Sequence, residues 1–205
     1  MSFGYIGDTS TSVKQQVKNK GILTTQESFD LERQGFLGGS LELIEEQTVS
    51  SASAVDFTSI KEDIFDVHFL SVSNMQNSAG SNSSVLVRLY EGGVLESASV
   101  YQYAFQFGGA SGSFGDVNST GVAQIQATIG LSTTSNSATN FYSYLYNLGN
   151  SSKYSFLTFQ EGGLDGSSTF FTQFGGGVLP QTSTVDGIRL ISSTGNLSGS
   201  YKLYG

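Results

Sequence analysis

Cysteine is absent, which excludes disulfides and thiolate metal sites and leaves the redox compartment unread. Histidine occurs once, as His68, and a lone imidazole cannot supply a histidine-based metal cluster. No apolar run approaches ~18 residues, so no transmembrane helix is expected. The stretch 1–21, MSFGYIGDTSTSVKQQVKNKG, has no apolar h-region and does not read as a secretory signal. Positive charge is scarce: Lys and Arg total 9 against 17 Asp and Glu, for a net charge of −8 and a pI near 4.4. Such a surface repels phosphate backbones and anionic bilayers, so neither nucleic-acid binding nor membrane insertion is expected. Charged residues make up only 13% of the chain, well below the usual figure of about a quarter.

Polarity comes instead from Ser, Thr, Asn, Gln and 26 glycines, and aromatics reach 12%. With that much to bury, the chain is not a disordered tail. Its 205 residues allow one good core plus a small appendage. The balance suits an all-β protein with many turns.

Residues 1–40 differ from the rest. They hold four of the nine basic residues, Lys14, Lys18, Lys20 and Arg33, and 1–23 shows no clear period. We read 1–23 as an extended arm. In TTQESFDLERQG (24–35), Thr24 and Glu27 have capping-box spacing and Gly35 can end a helix in the left-handed conformation. A short helix of two to three turns is predicted there. An arm of this kind cannot bury itself. It is either a floppy terminus or a docking segment that orders against a neighbour, with Phe3, Tyr5, Ile6, Ile22 and Leu23 as its apolar points.

From residue 41 onward strand follows strand. Predicted strands are 41–49, 55–72, 84–91, 97–107, 122–130, 140–148, 154–161, 168–174, 188–192 and 199–205, separated by Gly, Asn and Ser clusters. In 55–72, Ile64, Asp66, His68, Leu70 and Val72 share one face and Phe65, Val67, Phe69 and Ser71 the other. Both faces are apolar enough to suggest a central strand, part of whose surface a partner covers. Short strands at regular spacing predict a sandwich or barrel.

The order of these strands echoes itself. DVHFLSVSN, VLVRLYEGG, SASVYQYAFQFGG and GVAQIQATIG match NFYSYLYNL, YSFLTFQEGG, SSTFFTQFGGG and VDGIRLISSTG in turn. We read two pseudo-repeated four-strand units, their glycine pairs making tight turns and their two sheets facing each other as one sandwich of eight or more strands. Chance likeness among glycine-rich hairpins is the alternative.

Catalysis needs a nucleophile with a base in reach, and no such pair is evident. His68 reads as a half-buried strand residue. The carboxylate neighbours Glu45/Glu46 and Glu62/Asp63 point to opposite faces of a strand and do not converge as glycosidase carboxylates must. GGASGSFG (108–115) resembles a phosphate loop only superficially, since no GK(S/T) or helix follows. Asp165 lacks the spaced acidic partners of a calcium loop. The sequons at Asn82, Asn118, Asn150 and Asn196 are expected by chance in so Asn- and Ser-rich a chain. No enzyme, cofactor or metal is therefore expected. What remains is surface: Tyr, Ser, Asn and Gly in the predicted loops 74–83, 108–120, 131–139, 149–153 and 175–187.

FGYIGDTSTSVKQQVKNKGILTTQESFDL, with its NKGI at 19–22, followed by LGGSLELIEEQTVSSASAVDFTSI, resembles the start of small virion structural proteins of tailed bacteriophages, especially marine and cyanobacterial ones. VDGIRLISSTGNLSGSYKLYG resembles the closing hairpin of phage jelly-roll domains, which often end in a stretch like GSYKLYG (199–205). The resemblance covers both ends and the core only in style. It implies a jelly-roll-like β-sandwich, 41–205, on the virion surface. Residues 1–40 would fix it to other virion proteins, often as a homotrimer assembled in the bacterial host cytoplasm. Two roles follow. In a fibre or tail-appendage protein the β-domain touches the host surface, a glycan, with Tyr101, Tyr103 or Tyr142 at loop tips stacking on sugar. In a capsid decoration or cement protein, contact area alone stabilises the particle without receptor binding.

Overall fold

A computed structural model describes residues 25–26, 41–79, 83–133, 135–164 and 168–205. The chain divides into two units, Met1–Leu41 and Glu42–Gly205. Of the first, only Thr25, Gln26 and Leu41 are described. Thr25 and Gln26 are helical; the rest of the predicted helix, and the predicted docking residues Phe3, Tyr5, Ile6, Ile22 and Leu23, lie outside the described residues.

The second unit is β throughout. Among the described residues it runs β1 (Leu43–Ala52), β2 (Ala54–Phe57), β3 (Val67–Asn77), β4 (Val85–Glu91), β5 (Val94–Leu95), β6 (Tyr101–Gly109), β7 (Phe114–Val122), β8 (Ile125–Gln126), a 3₁₀ turn (Ser135–Ser137), β9 (Thr139–Tyr146), β10 (Ser155–Leu164), β11 (Phe170–Leu179), β12 (Val185–Ser192) and β13 (Leu197–Tyr204). Two antiparallel sheets form a jelly-roll-like sandwich. The large sheet has the order β1-β13-β3-β9-β10-β11-β6-β7; the small one has β2-β12-β4-β5, with β8 also on β4.

Period-two alternation decides which side chains enter the core. In β9, Phe141, Ser143 and Leu145 are buried while Asn140, Tyr142 and Tyr144 are exposed. In β3, His68, Leu70 and Val72 turn inward. Leu70 and Val72 meet Phe57 of β2, Leu89 of β4 and Ile188 and Leu190 of β12 in one continuous core with Phe105, Phe159, Tyr201 and Leu203. Each such side chain contributes roughly 1.5–3 kcal/mol of burial.

The echoed halves do not form one sheet each. The matching strands β3 and β9 lie side by side in the large sheet, as do β11 and β6, whereas β4 and β10 fall in different sheets. Alternation fixes the face a strand buries but not its neighbour, so the sandwich was legible and the division of the strands between its sheets was not.

The glycine pairs also differ. Gly92 and Gly93 have φ of 59° and 75° and join the paired residues Glu91 and Val94, the two-residue turn that needs positive φ at both centres. Gly162–Gly163 and the run 175–177 are instead strand interior, and Gly108–Gly109 end β6. At 175–177 the reason is close approach. A Cβ on Gly175 would lie 2.3 Å from the Phe105 Cβ, and one on Gly176 would lie 2.6 Å from the Leu157 carbonyl oxygen.

Two predicted strand units are split between sheets. The segment 55–72 is not one strand: β2 belongs to the small sheet and β3 to the large one, and 58–66 crosses between them with Ile60 fully buried as its anchor. Glu62 and Asp63 therefore sit in a turn rather than a strand. The C-terminal pair is an arch, not a hairpin. β12 pairs with β2 and β4, while β13 pairs with β1 and β3. Asn77 pins the arch: its Nδ2 donates to Ser192 Oγ (2.5 Å) and to the Thr194 carbonyl (2.7 Å). β7 was expected as loop, because FGDVNSTGV carries no apolar alternation. It forms as the edge strand paired along all of β6.

We expect Gly175→Ala to cost about 1–3 kcal/mol of unfolding free energy, the ordinary penalty for overpacking. Gly92→Asn, which suits a turn of this type, is expected to stay within about 0.5 kcal/mol of the parent. Urea denaturation of both variants checks the contrast.

Candidate functional site

Alternation that buries one face of each large-sheet strand presents the other to solvent. In most sandwiches that outer face is polar. Here β9 offers Tyr142, Tyr144 and Tyr146, β10 offers Phe156, Thr158 and Gln160, and β11 offers Thr172 and Phe174. Phe69 of β3 lies 4.9 Å from Tyr144, 6.1 Å from Tyr142 and 6.0 Å from Tyr204, ring centre to ring centre.

Strand register orders these groups into rows. Tyr142 stands opposite Gln160, Gln160 opposite Phe174, Phe174 opposite Gln106 and Gln106 opposite Asp116. In the next row Thr158, Gly176, Ala104 and Asn118 follow one another. Where the two rows cross β11, β6 and β7 there is a shallow depression of about 320 Å³, lined by Ala104, Gln106, Asp116, Asn118 and Phe174 with Phe105, Val117 and Gly175 beneath them. Phe174 is 54% exposed at its wall. The polar groups are held in place: Tyr142 donates to Gln160 Oε1 at 2.5 Å, and Asn118 Nδ2 donates to Asp116 Oδ2 at 3.1 Å.

The three tyrosines proposed for recognition part company here. Tyr142, 39% exposed, lies on the outer face, in mid-strand rather than at a loop tip. Tyr101 is fully buried. Its hydroxyl accepts from the Leu89 amide (3.0 Å) and donates to the Glu96 carbonyl (3.2 Å), and burial pushes it up to about 12. It is a core strut and cannot meet a ligand. Tyr103 is half-buried on the inner side of β6, where its hydroxyl donates to Gln126 Oε1 at 3.1 Å. The sequence misplaced Tyr101 and Tyr103 because an inward tyrosine reads like an outward one until the partner for its hydroxyl is known. It missed Asp116 and Asn118 because β7 reads as loop.

Several described ionisable residues outside this face make contacts within the fold. His68 is fully buried rather than half-buried. Its Nε2 lies 2.7 Å from the Ile60 carbonyl, which ties the 58–66 crossing to β3, and burial holds it below its usual value. Glu46 pairs with Lys202 at 3.2 Å, and Glu45 accepts from Gln47 at 2.7 Å. Glu91 accepts from Ser183, joining the β4–β5 turn to the 181–183 segment. Asp56 takes both arms of Arg189 (2.6 and 2.7 Å) beneath Tyr90, on the outer face of the small sheet. Among the described residues no three His, Cys, Asp or Glu come together to hold a metal ion.

Glu161 sits in the core of the large sheet, its carboxylate accepting from Gln173 Nε2 at 2.6 Å. Gln173 in turn brackets Ile129, donating to its carbonyl (2.8 Å) and accepting from its amide (2.9 Å). Burial drives the Glu161 carboxyl well above its ordinary 4.5, against the opposing pull of the Gln173 hydrogen bond.

No family model matches the chain, and no curated protein does. A solved structure of a fructofuranosidase variant from Schwanniomyces occidentalis, complexed with fructosylnystose, aligns over 82% of this chain at 7% identity and a TM-score of 0.21. The chain spans about a third (34%) of that protein's length. A likeness so slight carries no argument about either fold or activity.

Two outcomes check these placements. Tyr101→Phe should cost about 1–3 kcal/mol, since it leaves the Leu89 amide buried and unpaired. Tyr142→Phe should leave stability within about 0.5 kcal/mol of the parent. For Glu161 the folded state keeps a proton that the unfolded chain releases above pH 4.5. Its stabilising contribution is thus complete below that pH and is lost as pH rises toward the folded value. Glu161→Gln removes the titration, so in thermal unfolding the variant should gain on the parent as pH rises above 4.5.

Proposed function

We propose that the chain is a virion structural protein of the fibre or tail-appendage type, acting by contact rather than by catalysis. Residues 1–40 would anchor it to other virion proteins, as a homotrimer, and the β-sandwich would be displayed toward the host surface. The observation that carries the contact reading is the outer face of the large sheet. Tyr142, Tyr144, Phe156 and Phe174 stand on it uncovered by any other described part of the unit, and an apolar surface of that kind marks an interaction site. The virion assignment draws on the likeness of both chain ends to phage structural proteins. The extended face would equally serve a capsid decoration or cement protein, which is the second reading.

Localisation on intact particles separates them. With a label at Gly205, signal at the tail tip or along fibres is the expected result. Signal spread over the head selects decoration, and a chain absent from purified particles overturns both. Removal of residues 1–40 should leave a folded β-domain that no longer joins the particle. Normal incorporation of the truncated chain would refute the docking arm.

A further inference from the structure

We propose that the row Tyr142–Gln160–Phe174–Gln106–Asp116, with Asn118 beside it, is a binding site for a neutral oligosaccharide lying across the strands. This rests on the contact reading above only in taking the outer face as the working surface; it requires no particle.

Tyr142 and Phe174 occupy the same row on β9 and β11, two strand steps apart through Gln160, so their backbones are about 10 Å from each other. That span suits two or three linked sugar rings. Both rings are exposed, at 39% and 54%. An aromatic face accepts the C–H face of a pyranose, while the hydroxyls at the sugar edge need donors and acceptors beside the ring. Gln160, Gln106, Asp116 and Asn118 supply both kinds in the same two rows.

Shape agrees with chemistry. Ala104 has no side chain tall enough to fill the depression, which lies beside Phe174 with the Gly175 backbone in its lining. The walls are set before any ligand arrives, because Tyr142 holds Gln160 and Asn118 holds Asp116. Pre-set groups spend less ordering entropy on binding. Asp116 Oδ1 accepts no protein hydrogen bond among the described residues, and an outward carboxylate oxygen beside a ring is a hydroxyl acceptor.

Charge and polarity exclude other ligands. Asp116 and the net charge of −8 disfavour uronates, sialylated chains and phosphates. A protein seated permanently on this row would strip water from Gln106, Asp116 and Asn118 and would have to replace every hydrogen bond. The neighbouring Phe69–Tyr144–Tyr204 cluster, which lacks such groups, does not share this constraint.

The purified full-length chain should be titrated by calorimetry and saturation-transfer NMR with neutral gluco-, galacto- and manno-oligosaccharides of two to six units. Sialyl-lactose and oligogalacturonate serve as anionic controls. Saturable binding of at least one neutral series is expected, with the anionic controls silent. Phe174→Ala and Asn118→Ala should each weaken it about tenfold or more, and Val94→Ser on the other sheet should leave it unchanged. All three positions are exposed, and matched thermal unfolding verifies that the variants fold. Absence of binding across the neutral panel at millimolar sugar overturns the proposal, as does full affinity in Phe174→Ala. So does a Phe174→Ala effect seen only on association with another protein, which would make the row a protein interface. None of these results bears on where the chain sits on a particle, so the virion reading stands or falls separately.

Discussion

Burial of an eight-stranded apolar face beneath a cover of five short strands is the constraint on which the molecule depends. The small sheet has β2 at one end, against β1 and β13, and reaches β6 through β8 at the other. β7 lies beyond it. The inner face there is closed by aromatic contacts within the large sheet, Phe107 on Phe171 at 5.2 Å and Phe105 against Phe159 at 5.7 Å. The glycine run 175–177 is the geometric counterpart. Where side chains would collide with Phe105, Leu157 and Ile125, the strand gives them up, and the sheet packs closely at its middle.

That packing choice shapes the surface on the other side. A strand that loses side chains to admit inner-face neighbours also loses them outward, because the glycines are consecutive and the faces alternate. Gly175 and Gly177 face the core and Gly176 faces outward, and the outer face dips next to Phe174 over Ala104 and the Gly175 backbone. The lining of the depression thus includes the Gly175 backbone that core packing requires, and its walls come from the side chains that β6, β7 and β11 place at the flanking positions. Asp116 and Asn118 occupy two of those positions on a strand that contributes little to the core.

How much of this could be read from the chain alone depends on which side chains carry the signal. The sandwich itself was legible, since NFYSYLYNL and YSFLTFQE alternate cleanly and state which residues go inward. The crossing at 58–66 was not, because Ile60, Ile64 and Phe65 continue the apolar count through a turn. Of the three, Ile60 is fully buried while Ile64 is 65% exposed, a difference that composition cannot express. The arch between β12 and β13 was hidden for a related reason: SSTGN reads as a hairpin turn whether the strands it joins pair with each other or with different sheets. The candidate site suffered most. Tyr101 and Tyr142 are the same residue type in equally alternating strands, and only the Leu89 amide waiting for a phenol oxygen tells them apart. Asp116 and Asn118 gain meaning only once β7 is recognised as a strand held by β6.

The composition of the outer face also bears on self-association. An exposed aromatic sheet face with open edges invites self-pairing. Here the edges are β1 and β7. β1 carries Glu45 and Glu46, and β7 carries Asp116 with Asn118, so each edge shows negative charge to an incoming copy of the same chain. Between the rings, Ser71, Thr158, Gln160 and Thr172 break the apolar surface into separate rows. The face is thereby sticky in lines rather than in area. A line of rings flanked by amides and one carboxylate presents apolar faces and hydrogen-bonding groups side by side, and it is the polar positions between the rings that keep the apolar surface from becoming continuous.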